Sequence, residues 1–213
     1  MIKAVLFDFD GTMMNTPPVI IESWQHAARK LLGHELPLAD VIASFGEPII
    51  VTIEKYFPGL DSQLVLQTYL HYSEEVPGLR IRMFPGMHEL VLGVKEKGYQ
   101  IAMVTTRVWK RTPLYLYDFD LYDSFDCVVS GEDCTKHKPD PEPCNIALQR
   151  LGIRPEEALM IGDTLFDVEC AHNAGVKCAL VRWSLTAAAE DFAAADFVME
   201  QPEDLYDYLE SLQ

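Results

Sequence analysis

The segment Lys3-Ala4-Val5-Leu6-Phe7-Asp8-Phe9-Asp10-Gly11-Thr12 constrains the fold of this chain more tightly than any other. Its apolar run is near-continuous rather than alternating, the pattern of a parallel strand covered on both faces, so a layered α/β domain is expected. Gly11 marks where the chain leaves the strand. Asp8 and Asp10 are thereby delivered to the strand's carboxyl end, the edge at which open α/β sheets bind ligands.

The pattern then changes. Pro17 and Pro18 suit the first turn of a helix, with Asn15 or Thr16 as its cap. From there to about Arg82 the reading is helical, broken at Gly33, Pro37, Gly46-Glu47-Pro48, Pro58-Gly59 and Pro77-Gly78, with no alternating strand among the helices. Phe84-Pro85-Gly86 opens a different regime: a helix over about 86–97, a strand at Gln100–Val104, and further strands at 127–129, 158–161, 178–181 and near Phe197-Val198. The alanine-rich stretch 187–195 reads as a helix. The expected architecture is an α/β, Rossmann-like parallel-sheet core over residues 1–14 and 83–213. A small all-α domain over 15–82 interrupts it after the first strand.

Composition narrows the function. The 213 residues, 49% of them hydrophobic, suffice for one packed core plus an insertion. A formal charge of −16 argues against nucleic acid as a partner, because that requires a basic footprint. No apolar stretch approaches the roughly 20 residues of a membrane span, and no signal-peptide pattern opens the chain, so a cytoplasmic location and no membrane partner are expected. Five cysteines without CxxC spacing suggest reduced thiols rather than a disulfide framework. Cys134, His137 and Cys144 match no common zinc spacing.

Three further clusters fall at predicted strand ends on the edge that carries Asp8 and Asp10. Val104-Thr105-Thr106-Arg107 offers hydroxyls able to donate to a phosphoryl oxygen, although threonine is common in strands. Lys138-Pro139-Asp140-Pro141 holds a lysine in a proline-stiffened loop. Gly162-Asp163-Thr164-Leu165-Phe166-Asp167 reads as strand, acidic turn and helix start; one helical turn can bring Asp163 and Asp167 to the same site, and Asp163 or Thr164 suits the helix N-cap.

This ordered set resembles the haloacid dehalogenase superfamily, and the helical insertion sits where members with a C1-type cap carry theirs. The likeness spans the chain and is strongest to phosphoglycolate phosphatases, pyrophosphatases and sugar-phosphate phosphatases or mutases. Asn15 stands where an acidic residue is frequent, and Thr106 where asparagine is frequent. The resemblance implies that Asp8 attacks phosphorus and forms an aspartyl-phosphate, while Asp10 protonates the leaving group and then activates water. It implies Mg²⁺ held by Asp8, the Asp10 main-chain carbonyl and Asp163. Thr105 and Lys138 hold the transferring oxygens, and Thr12, Thr164 and Asp167 support them from behind. Thr106, Arg107, Gly46 and Glu47 are candidates for substrate contact, the last two through the loop Phe45-Gly46-Glu47-Pro48. An anion brought to within about 4 Å of a phosphate is opposed by about 4 kcal/mol per charge pair at an effective dielectric of 20, hence the need for a cation and a lysine.

The expected activity is hydrolysis of a small phosphorylated metabolite. A sugar phosphomutase and a silent ligand-binding regulator are the alternatives. A dehalogenase fits less well, since carbon–halogen displacement has no need of Asp10 and Asp163. Between Asn15 and Arg80, four Lys/Arg stand against eight Asp/Glu, which favours a neutral or sugar-like leaving group unless Arg107, Lys55 or His26 is aimed at it. Oligomeric state has no signature in the sequence.

Overall fold

Strand β1 (Ala4–Phe7) is buried along its whole length, and its side chains alternate between two cores. Val5 and Phe7 pack with Ile101, Met103 and Ile161 on one face of the sheet; Ala4 and Leu6 pack with Ala102, Val104 and Met160 on the other. Two-sided burial is why the run reads as continuous.

The computed structural model describes residues 1–75, 81–107, 112–187 and 191–212. In chain order the elements after β1 are β2 (Met14–Asn15), α1 (Pro17–Leu31), α2 (Leu38–Ala43), α3 (Ile49–Tyr56), α4 (Ser62–Glu75), β3 (Arg82–Met83), α5 (Met87–Glu96), β4 (Gln100–Val104) and α6 (Thr112–Asp118). They continue with β5 (Cys127–Val129), α7 (Glu142–Leu151), β6 (Ala158–Gly162), α8 (Leu165–Asn173), β7 (Lys177–Val181), α9 (Asp191–Ala194), β8 (Phe197–Met199) and α10 (Asp204–Ser211).

The main sheet has six parallel strands in the order β5-β4-β1-β6-β7-β8. After β1 the chain builds outward through β4 and β5, then returns to the other side of β1 as β6. The strand order therefore reverses between β1 and β6, and ligands of such sheets bind in the crevice beyond that switch point. Phe7 pairs with Ile161 there, and the Asp8 N–H donates to the Ile161 carbonyl at 2.9 Å. Asp8 follows Phe7 directly, and Asp163 follows Gly162 at the end of β6.

Helices α1 to α4 form the all-α cap expected between the first strand and the rest of the core. They close on their own apolar cluster, in which Trp24, Ala28, Ile53, Phe57 and Val65 are buried. Val19 and Trp24 of α1 face inward, whereas Arg29 pairs outward with Glu22 and Glu35.

Local details depart from the sequence reading. Met14–Asn15 and Arg82–Met83 form a short antiparallel ladder at the two crossings into the cap; two residues per strand are too few to leave a periodic trace. Thr16 occupies the N-cap position of α1 without capping it, because its backbone is already helical (φ −89°, ψ −23°) and Pro17 and Pro18 have no N–H to offer. The α9 helix spans four residues of the predicted 187–195 segment, of which 188–190 lie outside the described residues, as does the Pro77-Gly78 break.

Candidate active site

Asp8 leaves the end of β1 into a buried cluster with Asp163 and Asp167, whose carboxylate oxygens lie within 4.8 Å of one another. Lys138, itself 3% exposed, reaches into the cluster from the loop before α7. Its ammonium donates to Asp8 Oδ1 at 2.7 Å, Asp167 Oδ1 at 2.6 Å and the Val104 carbonyl at 2.8 Å. One cation thus joins three of the strand ends the sequence singled out.

The three carboxylates are not equivalent. Asp167 Oδ2 accepts from the N–H groups of Asp163 and Thr164 and from the Thr164 hydroxyl at 3.2, 3.1 and 2.8 Å. With Lys138 on its other oxygen, Asp167 is committed on both sides. Thr164 takes the N-cap position of α8, one of the two placements expected. Asp163 is held by hydroxyls: Ser184 donates to Oδ2 at 2.8 Å, Thr186 donates to the same oxygen, and Thr12 approaches Oδ1 at 3.5 Å. Gly11 sits at φ +83° against Asp163, and a Cβ there would overlap its carboxylate, so only glycine permits both the turn and the approach.

Three buried acids lie around one lysine, which pairs directly with two of them. Burial pushes the Asp8 carboxyl well above its ordinary range; Lys138 opposes that shift, while Asp167 and Asp163 add to it. Asp163 is pushed up to about 7, by burial first and by Asp167 second, against the pull of its hydroxyl partners. Burial draws Lys138 down, but Asp167 and Asp8 outweigh it and hold the ammonium well above its usual range. The acids of the cluster therefore resist ionising together unless a further cation joins them.

Asp10 stands apart from this cluster. Its Oδ1 accepts from Arg107 at 2.8 Å, and the guanidinium lies 5.6 Å from the ring centres of both Phe9 and Tyr115. Both residues of the pair line a cavity of about 440 Å³ that opens over Asp8, Lys138 and Asp163. Thr106 lines it too, whereas Thr105 is buried at the end of β4 with its hydroxyl accepting the Arg107 N–H at 3.1 Å. From the cap, Gly46 and Glu47 reach the same cavity. Gly46 (φ +86°) rests against Phe166 and Thr164 of the core, where a side chain would collide with the Phe166 ring. His26 and Lys55 are not among its lining residues: His26 stacks on Tyr72 at 4.2 Å, and Lys55 pairs with Glu47 at 3.4 Å.

Ser184 and Thr186 were absent from the sequence reading. Their signal was two hydroxyls just past β7, on the same sheet edge as the acids, but nothing local linked them to Asp163. The cysteines are free, with the Cys144 and Cys170 thiols 3.5 Å apart in the core.

The family model described as haloacid dehalogenase-like hydrolase matches residues 5–181. A PpaX-type protein of Caldanaerobacter subterraneus is 37% identical over 186 residues, covering 86% of this chain and 83% of its own. The pyrophosphatase PpaX of Bacillus cereus is 32% identical over 212 residues, covering 99% of this chain and 98% of that protein. Among solved structures, a haloacid dehalogenase-like hydrolase of Bacteroides fragilis superposes with a TM-score of 0.86 at 26% identity, covering 96% of this chain and all of that one.

Proposed function

The chain belongs to the haloacid dehalogenase-like hydrolases, and from that premise we propose that it is a Mg²⁺-dependent phosphatase that hydrolyses a small phosphorylated metabolite through an aspartyl-phosphate. The observation that carries this reading is the burial of Lys138 between Asp8 and Asp167, with Asp163 alongside, at the switch point of the sheet.

The donor set fits a hard divalent cation. Asp8 and Asp163 supply carboxylate oxygens, and neither cysteine nor histidine enters the cluster among the described residues. Asp167 is spent on Lys138 and on the start of α8, so Asp8, Asp163 and the Asp10 main-chain carbonyl are the proposed ligands. When bound, the ion supplies positive charge that neutralises the buried carboxylates and the phosphoryl oxygens.

Asp8 is the nucleophile. Its carboxylate attacks phosphorus, an acyl-phosphate bond forms, and the bond to the leaving oxygen breaks. Lys138 orients that carboxylate and stabilises the charge that spreads over the transferring oxygens, with the Thr106 edge of the cavity beside them. Asp167 fixes Lys138 in place. Asp10 gives its proton to the leaving oxygen, then takes one from the water that attacks the aspartyl-phosphate and restores Asp8. Arg107 keeps Asp10 at the cavity wall through one oxygen and leaves the other for proton exchange. The segment 15–82 acts as the cap, with its Gly46-Glu47 loop covering the site and limiting water.

Phosphate release from a metabolite panel with and without Mg²⁺ tests the reading, pyrophosphate being included because the PpaX relatives are named for it. Release that requires Mg²⁺ and vanishes in Asp8→Asn is expected. Isomerisation of a sugar phosphate without release would replace hydrolysis with a mutase reaction, and inertness toward every compound would overturn the enzymatic reading.

A further inference from the structure

The wall that faces the leaving group has an unusual composition for a phosphate-handling site. Across the cavity from Asp8 it is built by the cap residues Ile20, Trp24, Phe45, Ile49, Leu66 and Tyr69. Trp24 is 3% exposed and packs against Tyr69 with ring centres 4.3 Å apart and planes tilted by 38°, so this wall is packed in advance rather than assembled around a ligand. At about 440 Å³ the cavity lies in the range that receives whole organic molecules.

Three hydroxyls of the cap side already spend their protons internally. The hydroxyls of Ser44 and Ser73 donate to the Val41 and Leu70 carbonyls at 2.7 and 2.9 Å, and Thr52 donates to Glu47 at 3.5 Å. The Thr16 hydroxyl, the one buried side-chain polar atom without a partner among the described residues, has almost no accessible surface and so presents nothing to a ligand. Lys138 and Arg107 are the only lining cations among the described residues, and each is already paired with carboxylates. Glu47 is itself paired with Lys55.

Taking the phosphatase reading as given, we infer that the group released with phosphate is a bulky, largely apolar alcohol. A leaving phosphate or carboxylate would shed its water against a wall that, among the described residues, offers it no free cation. A polyhydroxylated sugar would set hydroxyls against Ile20, Ile49 and Leu66, which offer them no partner. An aromatic or branched hydrocarbon body gains instead from burial against Trp24, Ile49 and Leu66.

The test compares 2-phenylethyl phosphate with ethyl phosphate, whose leaving oxygens are both primary alkoxides and which differ in the apolar body alone. Glucose 6-phosphate, phosphoglycolate and pyrophosphate complete the panel. In the Mg²⁺-loaded wild-type enzyme, kcat/KM for 2-phenylethyl phosphate is expected to exceed that for ethyl phosphate at least about tenfold, mainly through KM, and to exceed the other three. Asp8→Asn protein titrated calorimetrically should bind 2-phenylethyl phosphate at least about tenfold more tightly than ethyl phosphate. Leu66→Asp should collapse the ratio between the two esters, with residual ethyl phosphate turnover reporting that the variant is folded. Preference for pyrophosphate, phosphoglycolate or glucose 6-phosphate, or a ratio unmoved by Leu66→Asp, would overturn the inference and leave the phosphatase reading intact. Absence of phosphate release from all five compounds would overturn the phosphatase reading itself.

Discussion

The two ends of the β1–β6 strand pair handle charge in opposite ways. At the amino end, Glu157 meets Lys3 at 2.6 Å and Arg154 at 3.1 Å, and these cations hold its carboxyl down at about 2. At the carboxyl end, Asp8, Asp163 and Asp167 lie around Lys138, and burial pushes Asp8 and Asp163 up. The pairing register is common to both ends; what differs is the ratio of cations to acids and the access of water. One end is balanced for folding, while the other holds charge that folding alone would not select, the signature of a functional site.

The largest expected contrast is in activity. Asp8→Asn should lower phosphate release on the order of 10³-fold or more, whereas Glu157→Gln should leave kcat unchanged, as steady-state assays of both variants would show. If both variants lose activity alike, the two ends are not functionally distinct.

Next comes Lys138→Met, which strands Asp8 and Asp167 without their shared cation. Removing one partner of a buried pair costs about 3–5 kcal/mol; urea unfolding should show a loss of that order, partly recovered by Mg²⁺. Asp163→Asn should act in the reverse direction. It removes one of the excess buried charges, so the metal-free protein should melt at a higher temperature than wild type, and the Mg²⁺-dependent rise in Tm should shrink. A metal-free Tm below that of wild type would mean that the hydroxyls of Ser184, Thr186 and Thr12 already compensate the charge.

The smallest effect belongs to the amino end and concerns pH. Glu157 titrates lower in the folded chain (about 2) than its ordinary 4.5, so its ionised form favours the fold. That contribution is full above about pH 4.5 and fades as pH falls toward 2. Glu157→Gln should therefore lower Tm modestly at neutral pH, and the gap to wild type should narrow through that window in calorimetric scans.

How much of this could be read without coordinates depended on how local the cause was. The order of strands and helices was legible because burial on two faces or on one stripe leaves a repeating trace, as at Val5-Leu6-Phe7 and Gln100–Val104. The β2–β3 ladder was not, being too short to repeat. Thr105 illustrates a middle case: its position just past β4 was predictable, whereas its acceptance of the Arg107 N–H, which leaves its own O–H free to donate, was not.

Strand ends are set by local chemistry, so Asp8, Lys138, Asp163 and Asp167 could be assigned to one edge of a parallel sheet from their flanking residues. Their partners could not. Ser184 and Thr186 on Asp163, Arg107 on Asp10 and the largely apolar cap wall of the cavity join residues far apart in the chain, through side-chain contacts that follow no period. Such contacts exist only once the sheet has brought its strand ends together and the cap has closed its own core above them.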